Sequence, residues 1–287
     1  MTLVDLSLPI AVNCSILFTE LPVLDRPAAA SAAGFDAVEF WWPFPEAVPV
    51  QAEVDRFVGA IEDAGVRLVG LNFAAGNMPA GDRGLVSWPG REAEFADNVA
   101  VAVGIGKRLG TRAFNALYGN RVDGADPREQ DELAAANLAV AARAAAAIGA
   151  VVLVEPVSGA PRYPLLTAAD VLMVIDRVQR EGNTDRIDNL RLLADLYHLS
   201  VNGDDLDAVI AKDTPRMGHV QIADATGRHE PGTGKLELDR HLRDLQGAGY
   251  AGYVALEYVP STSTEDSLGW LPREQRSAAP SANQETT

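Results

Sequence analysis

The chain is poor in cysteine and in positive charge. One cysteine, Cys14, stands alone among 287 residues, so no internal disulfide and no thiolate metal cluster can form. A small buried strand residue is the expectation at that position. Lys and Arg number 24 against 40 Asp and Glu, for a formal net charge of −16. Nucleic-acid binding needs clustered Lys and Arg to displace counterions from phosphates; no such run is present, and nucleic acid is set aside as a partner. No window reaches the roughly 18 uninterrupted apolar residues of a membrane span. Met1 to Leu8 lacks the basic start and long apolar stretch of a secretory leader. A cytoplasmic protein with no membrane partner is therefore expected. Also missing is a Gly-x-Gly-x-x-Gly turn after the first apolar run, which continues instead as Asn13-Cys14-Ser15-Ile16-Leu17-Phe18. Gly104 and Gly106 fall inside a helical pattern, so a dinucleotide-binding open sheet is disfavoured.

What is present is alternation. Short apolar runs alternate with longer amphipathic, Ala-rich segments, the pattern of repeated βα units around a parallel sheet. Eight runs are expected strands: 8–14, Ala37–Phe40, Arg67–Asn72, 112–117, 151–155, Leu190–Asp195, 218–223 and 252–257. Helices are expected at 24–33, Gln51–Ala64, 91–109, 129–148, 168–180, 205–212 and 238–248. Gly34, Gly65, Gly110, Gly149 and Gly249 stand just past helices, as left-handed caps do. Thr167 and Asp204 stand at N-cap positions. With no glycine fingerprint, these units point to an α/β fold, a (β/α)8 TIM barrel, which takes about 250 residues. The barrel is assigned 1–260 and a C-terminal tail 261–287. In the tail Leu268, Trp270 and Leu271 are expected to dock on the barrel. Most of 273–287 is too polar to order itself.

Active sites of such barrels lie at the C-terminal ends of the strands. Strands five, six and eight terminate in Glu155, Asp195 and Glu257, and strand seven carries Gln221 and Asp224. Because side chains alternate along a strand, Leu153 shares a face with Glu155, Ala255 with Glu257 and His219 with Gln221. If the polar set faces the barrel axis, three carboxylates and an amide converge at one rim. Carboxylates so close repel unless a cation neutralises them. An all-oxygen set suits a hard divalent ion, Mg2+ or Mn2+, better than Zn2+. Taken singly, each carboxylate could equally cap the next helix or pair with an arginine.

His198 follows Asp195 at a strand-to-loop exit and can reach a substrate oxygen. His219, one layer below Gln221, reads as a satisfied core histidine, and His241 as a surface residue of a helix. Arg228, in the glycine-rich loop after strand seven, is the best anion binder, since a guanidinium grips a carboxylate with two bonds. Asn72 and Asn115 end strands three and four as polar groups at the same rim. Glu39 ends strand two ahead of Phe40-Trp41-Trp42-Pro43-Phe44, aromatics that either wall a pocket or pack under a loop.

These residues carry a resemblance. The sequence is similar to the xylose isomerase-like barrels, and most of all to the hydroxypyruvate isomerase family, from Asn13 to Pro260. The segments concerned are Ser15 to Glu20, Gly34 to Phe40, Ala80 to Leu85, Asp195-Leu196-Tyr197-His198, His219 to Ala223, Arg228 to Gly232 and Leu256-Glu257-Tyr258. Gln221 stands where the related ketose 3-epimerases usually have histidine. The loop opening Glu155-Pro156-Val157-Ser158 departs from the family's usual forms. The resemblance implies one divalent metal ion held by Glu155, Asp195, Gln221 and Glu257, with Glu155 and Glu257 handling protons. It implies substrate binding by His198 and Arg228, and a homodimer or homotetramer. The three carboxylates leave the site negative even with the ion, so an acid substrate needs a cation, Arg228 aided by His198 or Arg83. The expected reaction converts hydroxypyruvate to tartronate semialdehyde through an enediolate. Alternatives are a 2-oxo-tetronate isomerase, a ketose 3-epimerase or sugar isomerase of the same superfamily, a metal-dependent lyase, and a non-catalytic sugar-acid binder.

Overall fold

The computed structural model describes residues 7–181 and 186–277. Eight parallel strands close in sequence order: β1 (Ile10–Asn13), β2 (Ala37–Phe40), β3 (Arg67–Asn72), β4 (Ala113–Asn115), β5 (Val151–Val154), β6 (Leu190–Asp195), β7 (Met217–Ile222) and β8 (Val254–Leu256). The barrel is sealed by β1 against β8, with Ala11 opposite Ala255. The main crossover helices are α1 (Arg26–Ala32), α2 (Gln51–Ala64), α3 (Glu92–Leu109), α4 (Pro127–Ala146), α5 (Ala168–Glu181), α6 (Leu196–Asn202), α7 (Leu206–Asp213) and α8 (Leu238–Gly247). Among the described residues no helix is long and apolar enough to cross a membrane.

Two residues of each strand period separate a packing layer from a chemical layer. Ala11, Ala37 and Ala255 cluster inside the barrel on one side, and Ala113, Leu153 and Leu193 on the other. One pleat further on, the same strands present Asn13, Glu39, Glu257, Asn115, Glu155 and Asp195, all buried. The alternating face builds the helix contact. Val54, Phe57, Val58 and Ile61 form the buried stripe of α2, and Phe57 meets Phe40 of β2 edge-on at 5.2 Å. Such a pair contributes on the order of 1 kcal/mol beyond its buried area. Two register shifts, between Val38 and Glu39 and between Leu192 and Leu193, fall just before site residues, where an extra residue re-aims a side chain.

The glycines expected to end helices do so: Gly65 and Gly110 take φ of 66° and 76°. Thr167 caps α5, its Oγ1 accepting from Asp170 N while Asp170 Oδ2 accepts from Thr167 N. Asp204 is a correction. The cap of α7 is Asp205, whose Oδ1 accepts from Asp207 N and Ala208 N, and Asp204 instead accepts from Ala168 N of α5. His241 is another. It is buried, with Nε2 3.3 Å from Asp207 Oδ1, because it lies on the face of α8 that packs on α7. Leu268 and Leu271 are buried in the core, with Trp270 partly buried against it. Arg273–Gln275, expected within the unstructured stretch, form a turn, and Arg276 donates to the carbonyls of Ala33, Leu268 and Leu271. Three bonded carbonyls hold what composition alone would leave free; 278–287 lie outside the described residues.

Candidate active site

The C-terminal mouth of the barrel opens into a cavity of about 450 Å³ whose lining includes Trp41, Arg83, Glu155, His198, Arg228 and Glu257. Asp195 and Gln221 lie buried beneath it. Each polar group is held by a different neighbour. Asn115 Nδ2 donates to Glu155 Oε2 at 2.7 Å, so Asn115 orients a carboxylate from the adjacent strand. Asp195 ends β6 and caps α6, its Oδ1 accepting from Tyr197 N and His198 N. That helix was not expected, and it corrects the placement of His198, which sits in a helical first turn rather than in a loop. Glu257 accepts from Arg228 Nη2 at 2.6 Å and from Asn13 Nδ2 at 3.0 Å.

The orientation of His198 follows from Ser158, whose hydroxyl lies 2.7 Å from Nδ1 beside a backbone bond that fixes the tautomer. Ser158 N donates to His198 Nδ1 at 3.0 Å. That nitrogen is therefore an acceptor, and the proton of the neutral ring resides on Nε2. Nε2 stands 3.6 Å from Asp195 Oδ2 and 3.9 Å from Glu155 Oε1. Burial pushes the imidazole pKa down to about 4, against the opposing pull of Asp195, so near neutrality His198 is an uncharged donor aimed at the cavity.

Arg228 is placed by a loop folded around Asp224, which accepts from the backbone N–H groups of Gly232, Gly234 and Leu236. Gly234 is required there: a Cβ would lie 1.9 Å from the Ala225 carbonyl oxygen. The guanidinium lies over the Tyr197 ring at 5.5 Å. Arg83 reaches the same cavity from the loop after β3, its Nη1 held by the carbonyls of Met78 and Asp82. Trp41 and Asn72 line this cavity and a neighbouring one of about 510 Å³. Of the aromatics after Glu39, Trp41 walls the pocket, while Phe40 packs against Phe57 of α2 rather than under a loop.

The electrostatics are those of a site short of positive charge. Burial, and then Asp195, push Glu155 up to about 8. Burial holds Glu257 well above the ordinary carboxylate range although Arg228 opposes it. Glu39 also suffers burial, but His219, together with hydrogen bonds from His219, Gln221 and Asn13, holds it below that range. His219 Nε2 lies 2.6 Å from Glu39 Oε2, a satisfied core histidine as read from the sequence.

These donors fit a hard cation. Asp195 Oδ2 and Gln221 Oε1 are buried oxygens with no hydrogen-bond partner in the described structure, and such orphans call for an unseen partner. One ligand atom each of Glu155, Asp195 and His198 lies within 4.8 Å of the others. His198 is excluded as a ligand through Nε2, since a protonated ring nitrogen has no lone pair to give. Sequence reasoning missed Asn13 and Ser158 outright, and noted Glu39 without a role. Asn13 and Glu39 act on strands distant in sequence, and Ser158 meets His198 from 40 positions away, with both its backbone N–H and its hydroxyl.

The family model for xylose isomerase-like TIM barrels matches residues 27–274. A Streptomyces coelicolor protein provisionally named hydroxypyruvate isomerase is 54% identical, with 93% of this chain and 96% of that protein covered. The 2-oxo-tetronate isomerase of Cupriavidus necator is 34% identical, over 91% of this chain and 96% of that one. The hydroxypyruvate isomerase of Escherichia coli is 31% identical, over 90% and 96%. Among solved structures, an AP endonuclease family 2 protein of Brucella melitensis superposes with a TM-score of 0.81 at 33% identity, covering 92% of this chain and 98% of that one. The chain belongs to the hydroxypyruvate isomerase family of xylose isomerase-like TIM barrels, a family of isomerases.

Proposed function

We propose that the protein is a divalent-metal-dependent isomerase of a small hydroxy-carbonyl acid, interconverting hydroxypyruvate and tartronate semialdehyde. The observation that carries this reading is the pair of buried oxygens with no hydrogen-bond partner among the described residues, Asp195 Oδ2 and Gln221 Oε1, set beside Glu155 and Glu257 under a cavity that also holds two arginines. Glu155, Asp195, Gln221 and Glu257 would hold Mg2+ or Mn2+. When bound, the ion polarises the substrate carbonyl and spreads the charge that builds on its oxygens.

The residues handle the protons. In hydroxypyruvate C3 loses a proton, C2 gains one, and the hydroxyl proton passes from O3 to O2 through an enediolate. Glu155 and Glu257, on separate strands, take and return the carbon protons. His198 Nε2–H holds a substrate oxygen. Arg83 and Arg228 offset the repulsion between the carboxylates and an anionic substrate, and Trp41 closes one wall against water.

A longer acid, 2-oxo-tetronate, is the second reading. It is favoured by the adjoining cavity, which shares Trp41, Asn72, Met78 and Pro79 with the first. Proton NMR in D2O separates the outcomes. Hydroxypyruvate should yield tartronate semialdehyde with solvent deuterium at carbon. Turnover of 2-oxo-tetronate alone selects the longer acid, and turnover without exchange would replace proton transfer by hydride shift.

A further inference from the structure

We propose that Glu39 is the positioning residue of this site: it holds the Gln221 amide in the one orientation that offers Oε1 to the cation, and through Asn13 it steadies Glu257. The inference rests on the metal reading given above.

The two ends of a glutamine amide are nearly equal in shape, so only their partners decide which way it points. Gln221 Nε2 donates to Glu39 Oε1 at 2.7 Å, leaving Gln221 Oε1 buried with no partner among the described residues. The opposite flip would set oxygen against the Glu39 carboxylate and present the NH2 group, which cannot ligate an ion. Asn13 is fixed by the same logic. Its Oδ1 accepts from Ser15 N at 2.9 Å, so its Nδ2 faces Glu39 Oε1 at 2.8 Å and Glu257 Oε2 at 3.0 Å.

Glu39 therefore accepts from Asn13, Gln221 and His219, and serves groups on β1 and β7 as well as, indirectly, β8. With three donors on its two oxygens it is a poor candidate for a ligand. The room for it is built in. Glu39 pairs with Gly70 of β3 just after a register shift, and a Cβ on Gly70 would stand 3.1 Å from Glu39 Oε2 and 3.2 Å from Glu39 Cβ. A carboxylate only 3% exposed is costly to bury even with its partners in place. Its retention is explained if its three donors must be held in place.

The test is Mn2+ affinity, measured by calorimetry or electron paramagnetic resonance on chelated protein, with thermal unfolding as the check on folding. Glu39→Leu should weaken binding about 10–100-fold, the usual effect of losing a group that orients a ligand. In a Gln221→Leu background the same change should cost much less, only the part that reaches Glu257 through Asn13. Wild-type affinity in Glu39→Leu, or a full loss in both backgrounds, overturns the proposal. If Glu39→Leu does not fold, the swapped pair decides. Gln221→Glu sets two carboxylates face to face, and Glu39→Gln added to it restores a donor–acceptor pair with its direction reversed. Affinity should then recover at least about tenfold, and no recovery overturns the proposal. A wild-type chain that takes up no Mn2+ would sink the metal reading itself, a failure visible before any variant is made.

Discussion

Arg228 Nη2 donates to Glu257 Oε1 at 2.6 Å and stands 3.8 Å from Asp195 Oδ2, so one guanidinium answers carboxylates from two different strands. Arg83, by contrast, makes its hydrogen bonds to backbone carbonyls and no ion pair among the described residues. The cavity thus holds one arginine already engaged by protein carboxylates and one with its charge in reserve.

Arg228→Ala should raise KM for hydroxypyruvate about tenfold or more, as loss of a buried charge partner does, and far exceed its effect on a neutral ketose. Arg83→Ala should raise KM for the acid while leaving Mn2+ affinity unchanged. Steady-state kinetics on both substrate types checks this, and equal effects on acid and ketose would argue against an acid substrate.

Exhaustive chelation should abolish turnover, with Mn2+ or Mg2+ restoring it. Full activity in chelated protein, verified metal-free by elemental analysis, would exclude the cation from the reaction.

Glu155→Gln and Glu257→Gln should each lower kcat by about 10²–10⁴-fold, the range for losing a general acid–base group. Deuterium exchange into substrate should fall in parallel. A variant that keeps exchange while losing product would show that its glutamate serves the second proton transfer only.

The metal-free protein should lose stability as pH rises above neutrality. Glu155 titrates near 8 when folded against an ordinary 4.5, and Glu257 is shifted in the same direction. The folded state therefore binds more protons over that interval. The resulting stability is complete below about pH 4.5 and is lost as pH climbs through 8. His198, about 4 when folded against 6.5, acts the other way, but only as pH falls from 6.5 towards 4. Between about pH 6.5 and 8.5 the carboxylates dominate, and Tm of chelated protein should fall by several degrees. Glu155→Gln should flatten the slope. A Tm that holds level or rises across that interval in chelated wild type would refute the account.

The sequence by itself determined the order of strands and helices, because apolar runs and glycine caps are local signals with a fixed period. It also placed Glu155, Asp195 and Glu257 at strand ends, and alternation within β7 was enough to read His219 as core. Helix α6 escaped notice since its N-cap is Asp195, a residue with a second use in the site. What only the tertiary structure decided are relations across the barrel. Glu39 lies 182 positions from the amide it orients, and Asn13 lies 244 positions from Glu257. His241 is buried because another helix covers it. Periodicity reports which face a residue is on; it carries no information about which distant side chain waits on the other side.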